Sequence, residues 1–154
     1  MEEETPQLDR AALRAFADAC ACSHVRKAAR VITQVYDTFL QPSGLRMTQY
    51  TVLVVIALSE PETVMLLAEQ LAMDRSALAR ALKPLEEQGL VLVEPGSDRR
   101  TRVVRLTERG QQVLTETHPY WVQAQEQMMA RFGAQRMQNL LAELKNVETL
   151  EELA

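Results

Sequence analysis

Residues 74–88 place apolar and polar side chains with the period of an α-helix. Leu78, Leu82 and Leu85 recur at intervals of four and three residues, so they share one face of the predicted helix. Asp74 stands at the N-cap position, where a carboxylate accepts from free amides of the first turn, and a glycine follows the segment where a left-handed residue ends many helices. The opposite face carries small and basic side chains, namely Arg75, Ser76, Ala79, Arg80 and Lys83.

The neighbouring segments predict a helix-turn-helix followed by a β-hairpin. Residues 64–71 have the pattern of a short helix, and a turn of about three residues separates them from the helix described above. Residues 90–94 and 102–106 are rich in valine and leucine, which favours two strands, and residues 95–98 have the composition of a turn. A hairpin directly after a helix-turn-helix is a wing.

Longer helices are predicted on both sides of this region. Residues 9–40 contain no proline or glycine and predict one helix, whereas residues 47–59 are apolar all round and favour a buried helix. Residues 107–132 predict a helix that bends near Pro119, and residues 134–153 predict a last helix. The fold class is therefore mainly α with a small β-hairpin wing, in which a winged helix-turn-helix head stands on an α-helical dimerisation region. We expect a homodimer because the first and last helices have wide apolar stripes that a partner chain would bury.

The composition adds a local basic region to an acidic chain. The 154 residues carry a net charge of −4, which argues against coating of nucleic acid by bulk charge. Between residues 99 and 109, however, five arginines stand against one glutamate. Recognition of an anionic groove depends on where such charges lie, so the basic helix face and the arginine-rich hairpin together predict binding to double-stranded DNA.

Several classes of protein are not expected from this chain. Its two cysteines, Cys20 and Cys22, cannot form a disulfide framework and lack the second half of a zinc site, so neither a metal nor a cofactor is expected. The start is acidic and polar, and no apolar run approaches the ~20 residues of a membrane span, which predicts a cytoplasmic protein without a membrane partner. No paired carboxylates, nucleophile triad or phosphate loop appears, so an enzyme is not expected and no catalytic residue is assigned.

Three motifs together resemble the MarR family of winged helix-turn-helix transcription regulators. They are the helix-turn-helix LAEQLAMDRSALARALKPLEEQGLV, the wing tip SDRR and the junction LTERGQ that leads into the long helix. The resemblance covers nearly the whole chain. It implies a homodimer that presents two heads to a pseudo-palindromic operator, most often as a repressor. It also divides one compact chain into an N-terminal dimerisation helix (1–45), a winged helix-turn-helix DNA-binding region (46–106) and C-terminal dimerisation helices (107–154).

The resemblance assigns ten residues to DNA binding. The basic helix face would enter the major groove, where arginine can bind guanine through two hydrogen bonds, and the wing tip would reach the minor groove. In the family's Asp-x-Arg pattern the aspartate braces the loop and the arginine inserts; Asp98 and Arg100 match it. Pro84 is a departure that predicts a slight kink, or an early end near Leu82–Lys83 with the helix resuming to Glu87. The full set is Arg75, Ser76, Ala79, Arg80, Lys83, Ser97, Asp98, Arg99, Arg100 and Arg102.

Two modes of regulation are open. A small-molecule effector, often an aromatic acid in this family, would bind a cleft and release DNA. The candidates for this cleft are His24, Arg26, Tyr36, Tyr50 and Trp121. Alternatively, Cys22, with Cys20 beside it, would sense an oxidant, because a reactive cysteine of the hydroperoxide-sensing branch has this placement. There Tyr36 matches one of two tyrosine partners, whereas Met47 occupies the position of the second. We expect the two cysteines, two apart on one helix, to point to different faces. A winged-helix module for protein contacts without DNA binding remains the alternative of a different class.

Overall fold

The computed structural model describes residues 9–59, 62–98 and 100–150. The chain divides into two compact units, residues 1–35 and residues 36–154. These units are defined by compactness, whereas the boundaries predicted at residues 45 and 106 concern function and stay predictions.

The first unit holds one helix and most of a second, where the sequence predicts a single helix. Helix α1 spans Arg10–Ala19, and α2 begins at Ala21 and runs to Leu40. The expectation of one continuous helix is wrong at Cys20, whose backbone is extended (φ −73°, ψ 101°). The Cys20 carbonyl accepts from the His24 amide at 3.2 Å, with the His24 ring nitrogen Nδ1 3.0 Å away. Cysteine and serine are poorer helix formers than alanine, and they cluster at this break.

The second unit contains the remaining elements. In chain order they are a 3₁₀ turn (Gln41–Ser43), α3 (Met47–Ser59), β1 (Glu62–Thr63), α4 (Val64–Gln70), α5 (Arg75–Glu87), β2 (Val91–Pro95), β3 (Arg102–Leu106), α6 (Glu108–Phe132) and α7 (Ala134–Glu148). Together with α1 and α2, they confirm the predicted fold class, a mainly helical chain with a small antiparallel sheet.

The core of this unit lies beneath α5. Leu78 and Leu85 are 0% exposed and Leu82 is 4% exposed, as the periodicity predicts. They pack with apolar residues of α3, including Leu53 and Ile56, which confirms α3 as a buried helix. Burial of a leucine side chain contributes about 1.5–3 kcal/mol, so this stripe fixes which face of α5 points outward.

Both internal prolines lie within unbroken helices. Helix α5 continues through Pro84 to Glu87, and α6 continues through Pro119 to Phe132. The early end near Lys83 is therefore wrong. Proline removes one hydrogen bond, but the buried leucines on both sides of Pro84 hold the chain in the helix. The last helix ends at Glu148, earlier than residue 153, and the residues beyond 150 lie outside the described part of the chain.

The sheet has a third strand that the sequence did not reveal. The strand order is β1-β3-β2, and both pairings are antiparallel. Val93 stands opposite Val104 in the hairpin, and Glu62 stands opposite the same Val104 on the other side. A strand of two residues gives no alternation for a sequence to display. Because β1 directly precedes α4, this pairing ties the hairpin to the first helix of the helix-turn-helix.

A close backbone contact joins α5 to α6. The amide of Thr107, which caps α6, donates to the Leu90 carbonyl at 3.1 Å. The Thr107 hydroxyl donates to the Gly89 carbonyl at 2.7 Å and accepts from the Gly110 amide at 2.9 Å. Gly89 has the left-handed conformation predicted for it (φ +67°), which turns the chain at the end of α5. The junction therefore fixes the end of α5 on the start of α6.

Candidate nucleic-acid interface and effector cavity

The outward face of α5 is a row of exposed small and basic side chains. Asp74 caps the helix, and its carboxylate accepts from the Ala77 amide at 2.8 Å, as predicted. The five candidates for the major groove are all exposed, namely Arg75, Ser76, Ala79, Arg80 and Lys83. Lys83 lies 3.9 Å from the carboxylate of Glu87, but both side chains are largely in solvent, where such a pair contributes little. Lys83 is thus available to another anion.

The wing tip is a turn held by Asp98. Its carboxylate accepts from the Arg100 amide at 3.0 Å, and its carbonyl accepts from the Thr101 amide at 2.9 Å. Asp98 therefore occupies the bracing position that the resemblance implies for it. Ser97 and Arg100 are exposed, while Arg99 lies outside the described residues.

A groove connects the wing with the start of α5. It has a volume of about 340 Å³, and its walls include the guanidinium-bearing side chains of Arg75, Arg100 and Arg102. Thr63, the N-cap of α4, also lines it, although sequence reasoning did not single this residue out. The fold thus brings together candidates from two elements that stand about 25 residues apart in the sequence. Three positive charges on one groove favour an anion such as a DNA phosphate.

A second site is an apolar cavity between α3 and α6. Its volume is about 330 Å³, and the residues that line it are Met47, Tyr50, Thr51, Val54, His118 and Trp121. The Tyr50 hydroxyl and His118 Nδ1 are 3.0 Å apart, within hydrogen-bond distance. The rings of His118 and Trp121 stack with centroids 5.5 Å apart and planes at 20°. Burial raises the pKa of Tyr50 above its usual value.

A further cavity of about 380 Å³ adjoins the first. Tyr50, Val54 and His118 line both, and the second extends toward Leu58 and Leu114. Leu58 is 81% exposed, so this side is open to solvent.

The structure brings together only part of the predicted effector set. Tyr50 and Trp121 line one cavity, whereas the hydroxyl of Tyr36 donates to the side-chain carbonyl of Gln125. Burial also raises the pKa of Tyr36. His24 and Arg26 are exposed on α2 and belong to the first unit.

Sequence reasoning missed His118 as a cavity residue. It stands three positions before Trp121, a spacing that puts both on one helix face, and this was the available signal. Its contact with Tyr50 spans 68 positions, so no local pattern could reveal it.

Neither cysteine is paired. Cys20 is partly buried and Cys22 is exposed. Because Cys20 lies in the break between helices, the premise that both cysteines stand on one helix is wrong.

Within residues 9–59, 62–98 and 100–150, no group of three histidine, cysteine or carboxylate side chains is arranged to hold a metal. The same residues include no helix with the length and apolar character of a membrane span.

The fold, with α4 and α5 followed by the hairpin, defines a winged helix-turn-helix protein. Comparison with known proteins identifies its family. The sequence profile of the MarR family matches residues 43–101. The transcriptional regulator MosR of M. tuberculosis, solved in complex with DNA, is 35% identical with a TM-score of 0.79. The match covers 87% of this chain and 97% of that one. The chain belongs to the MarR family of transcription regulators, as its three motifs imply.

Other relatives agree with this assignment. The HTH-type transcriptional regulator YwoH of Bacillus subtilis is 28% identical over 108 residues, which are 70% of this chain and 79% of that protein. A mutant of MarR from E. coli, complexed with operator DNA, is 23% identical with a TM-score of 0.77. It covers 86% of this chain and 96% of its own, and this likeness concerns the fold. Because the family and these relatives are transcription regulators, the expectation that the chain is not an enzyme is confirmed.

Proposed function

We propose that this protein is a DNA-binding transcription regulator that reads its operator with α5 and the wing. The observation that carries the proposal is the groove in which Arg75 of α5 meets Arg100 and Arg102 of the hairpin. Arg80 extends the same exposed face by more than one turn. Complexes of MosR and of E. coli MarR with DNA support this function. Such a regulator acts in the cytoplasm, where the DNA is.

The active form is a homodimer on a pseudo-palindromic operator. Large apolar side chains are exposed on the terminal helices: Leu13 and Phe16 on α1 are 53% and 63% exposed, and Leu141 and Val147 on α7 are 46% and 50% exposed. Removing such surface from water stabilises association by roughly 25 cal/mol per Å². A two-fold dimer would present two recognition helices to two half-sites of DNA.

The protein is a repressor that a small molecule releases from DNA. The cavity lined by Tyr50, His118 and Trp121 lies against α6, whose start is joined to the end of α5 through Thr107. If α6 can take two positions, a ligand that binds more tightly to the protein in one of them shifts the population toward it. This shift would change the distance between the α5 helices of the two protomers.

The test begins with footprinting of the full chain on the DNA upstream of its own gene. Affinity for the protected sequence is then measured by fluorescence anisotropy over a range of salt concentrations. Arg80→Ala should weaken binding by about 5–150-fold, because a bidentate contact to a base contributes ~1–3 kcal/mol. Arg100→Ala should also weaken binding, because the negative potential of the minor groove attracts its guanidinium. Arg136→Ala is the matched control: this arginine lies on α7, over the ring of Phe132.

Two results would contradict the proposal. One is the absence of a footprint, and the other is binding that does not weaken as salt rises, since phosphate contacts release counterions. If the arginine variants keep all other interactions of the protein while no DNA is bound, the chain is instead a winged-helix module for protein contacts.

Oxidant sensing is the second candidate for regulation. It is favoured by the exposure of Cys22 and by the extended backbone of Cys20, which frees the two thiols from fixed positions on one helix. Peroxide should lower operator affinity of the wild type and leave Cys22→Ser unaffected. Equal loss of affinity in both proteins would assign the effect to another group.

A further inference from the structure

A buried carboxylate next to the groove of arginines carries an inference about what positions the wing. Glu62 lies on β1 and is 6% exposed, so its side chain is not a surface that DNA can reach. We propose that Glu62 is a positioning residue for DNA binding, because its side chain joins β1, and through β1 the wing, to the end of α4. The inference rests on the proposed function, since operator binding is the activity that Glu62 would support.

Both oxygens of the Glu62 carboxylate accept a hydrogen bond. Oε1 accepts from the Thr63 amide at 2.9 Å, and Oε2 accepts from the side-chain amide of Gln70 at 3.0 Å. Gln70 is the last residue of α4, so the second bond joins the strand before this helix to the far end of the helix. Because a carboxylate only accepts, the Gln70 nitrogen faces it, and the Gln70 oxygen is left for the Ser59 hydroxyl, 3.4 Å away. The network therefore connects the end of α3, strand β1 and the end of α4.

The carboxylate of Glu62 contributes orientation rather than apolar burial. In the described part of the chain no lysine or arginine forms an ion pair with it. Burial of a carboxylate without a cation is costly, whereas an apolar side chain would fill the same position without that cost. Its two hydrogen bonds are therefore what this residue type adds at the position.

Strand β1 is the element through which the network reaches the wing. Its two residues pair with residues 103–104 of β3, which begins one residue earlier at Arg102. Arg102 shares the groove with Arg75 of α5 and with Thr63, whose amide Glu62 binds. A shift of β1 would therefore change the distance between the arginines of α5 and those of the wing. Contacts with DNA phosphates depend on that distance, because they fix the register of the protein on the duplex.

Charge and positioning predict opposite signs for the removal of this carboxylate. Loss of a negative group close to the groove reduces repulsion of DNA, so charge alone predicts equal or tighter binding by every neutral variant. A positioning role predicts weaker binding by a neutral variant that cannot form the hydrogen bonds.

Two neutral variants separate the hydrogen bonds from the charge. Glu62→Met keeps an unbranched side chain of similar length but lacks a strong acceptor. Glu62→Gln can form both bonds: its oxygen accepts from the Thr63 amide, and its nitrogen donates to the Gln70 oxygen once the Gln70 amide turns over. The Ser59 hydroxyl then accepts from the Gln70 nitrogen. We therefore expect Glu62→Gln to keep the binding that Glu62→Met loses.

Operator affinity of the full chain is measured by fluorescence anisotropy at several salt concentrations. Glu62→Met should bind about 10-fold more weakly than Glu62→Gln, roughly the effect of one lost hydrogen bond between an arginine and a phosphate. The slope of log affinity against log salt should fall in magnitude by about 1, because a displaced wing gives up a phosphate contact. A loss of folded protein alone lowers the active fraction and leaves this slope unchanged. Glu62→Gln should bind at least as tightly as the wild type, with the wild-type slope.

Glu69→Met is the matched control. It removes a carboxylate from the exposed surface of α4, beside the network, and should not weaken binding. Gln70→Leu breaks the same hydrogen bond from an exposed residue and tests the proposal even if Glu62→Met does not fold. It should lower affinity and salt slope as Glu62→Met does. Without DNA, hydrogen exchange at the Thr63 amide should be faster in Glu62→Met than in Glu62→Gln.

The other outcomes refute the proposal. Equal operator affinity of Glu62→Met and Glu62→Gln excludes a positioning role, and so does weaker binding with an unchanged salt slope. Full affinity of Gln70→Leu excludes the bond to α4 as the means of positioning. Faster exchange at Thr63 without any loss of affinity would confine the effect of Glu62 to β1. If the wild type binds no DNA, the proposed function itself fails, whereas equal variants of a DNA-binding wild type refute only this inference.

Discussion

Replacement of Gly110 by alanine tests the junction between α5 and α6. Gly110 is buried in the first turn of α6, and a Cβ added there would lie 2.0 Å from the carbonyl oxygen of Leu90 and 2.9 Å from its carbon. Ordinary contact begins at 3.4 Å, so one backbone segment must move by about 1.4 Å. Such a movement breaks the hydrogen bond from the Thr107 amide to the same carbonyl.

The sign of the change in the free energy of unfolding shows whether this contact or helix propensity dominates. In a helix without neighbours, alanine is more favourable than glycine by about 1 kcal/mol, so Gly110→Ala would stabilise the protein. The overlap with backbone reverses this, and we expect a loss of about 3–5 kcal/mol in the free energy of unfolding. Urea unfolding, followed by circular dichroism at one fixed protein concentration, measures the difference.

Gly44→Ala is the matched control. Gly44 has a φ of +75° and no atom within 4 Å of an added Cβ, so alanine there meets only backbone strain and should cost about 1 kcal/mol. If Gly110→Ala is as stable as the wild type, or more stable, the close contact with Leu90 does not exist in solution.

Three further changes test single interactions. Asp74→Ala removes the hydrogen bond from the Ala77 amide and should lower the free energy of unfolding by about 1 kcal/mol, measured by urea unfolding. Asp74→Asn should recover most of this loss, and equal losses in the two variants would exclude capping as the cause. Asp98→Ala removes the hydrogen bond from the Arg100 amide to the Asp98 carboxylate. It should weaken operator binding several-fold in fluorescence anisotropy and change the free energy of unfolding by less than about 0.5 kcal/mol. Unchanged affinity would show that DNA binding does not depend on this turn at the wing tip. Burial in the folded state raises the pKa of the Tyr50 phenol above its usual value of 10.0. Ionisation of this group should therefore not change the free energy of unfolding below about pH 10, and stability should fall as pH rises beyond it. The fall should be smaller in Tyr50→Phe, and identical pH profiles would refute the assignment.

Local pattern predicted the parts of the fold that local forces decide. The leucine stripe of α5, its cap at Asp74 and the left-handed Gly89 each follow from a few neighbouring residues, and all three are confirmed. The break at Cys20 could not be predicted, because no proline or glycine is present there and propensity differences of a few tenths of a kcal/mol decide it. Strand β1 was not predicted for a related reason, since its two residues are ordered by pairing with β3 rather than by their own composition.

The candidate sites likewise differ in how far local sequence predicts them. The basic face of α5 is a property of one helix and is readable from spacing. The groove that joins Arg75 to the hairpin, and the contact between Tyr50 and His118, depend on packing between distant segments. The sequence supplied the three arginines of the groove and Tyr50 of the contact, but only the fold shows that His118 lies beside Tyr50.

The position of β3 in the middle of the sheet has a consequence for self-association. Strand edges with free backbone groups can recruit a second chain, and here the two outer strands are β1, which is two residues long, and β2, which ends at Pro95 after the charged Glu94. Short length, proline and charge are the features by which natural sheets avoid edge-to-edge pairing. The edges of this sheet therefore offer little template for aggregation.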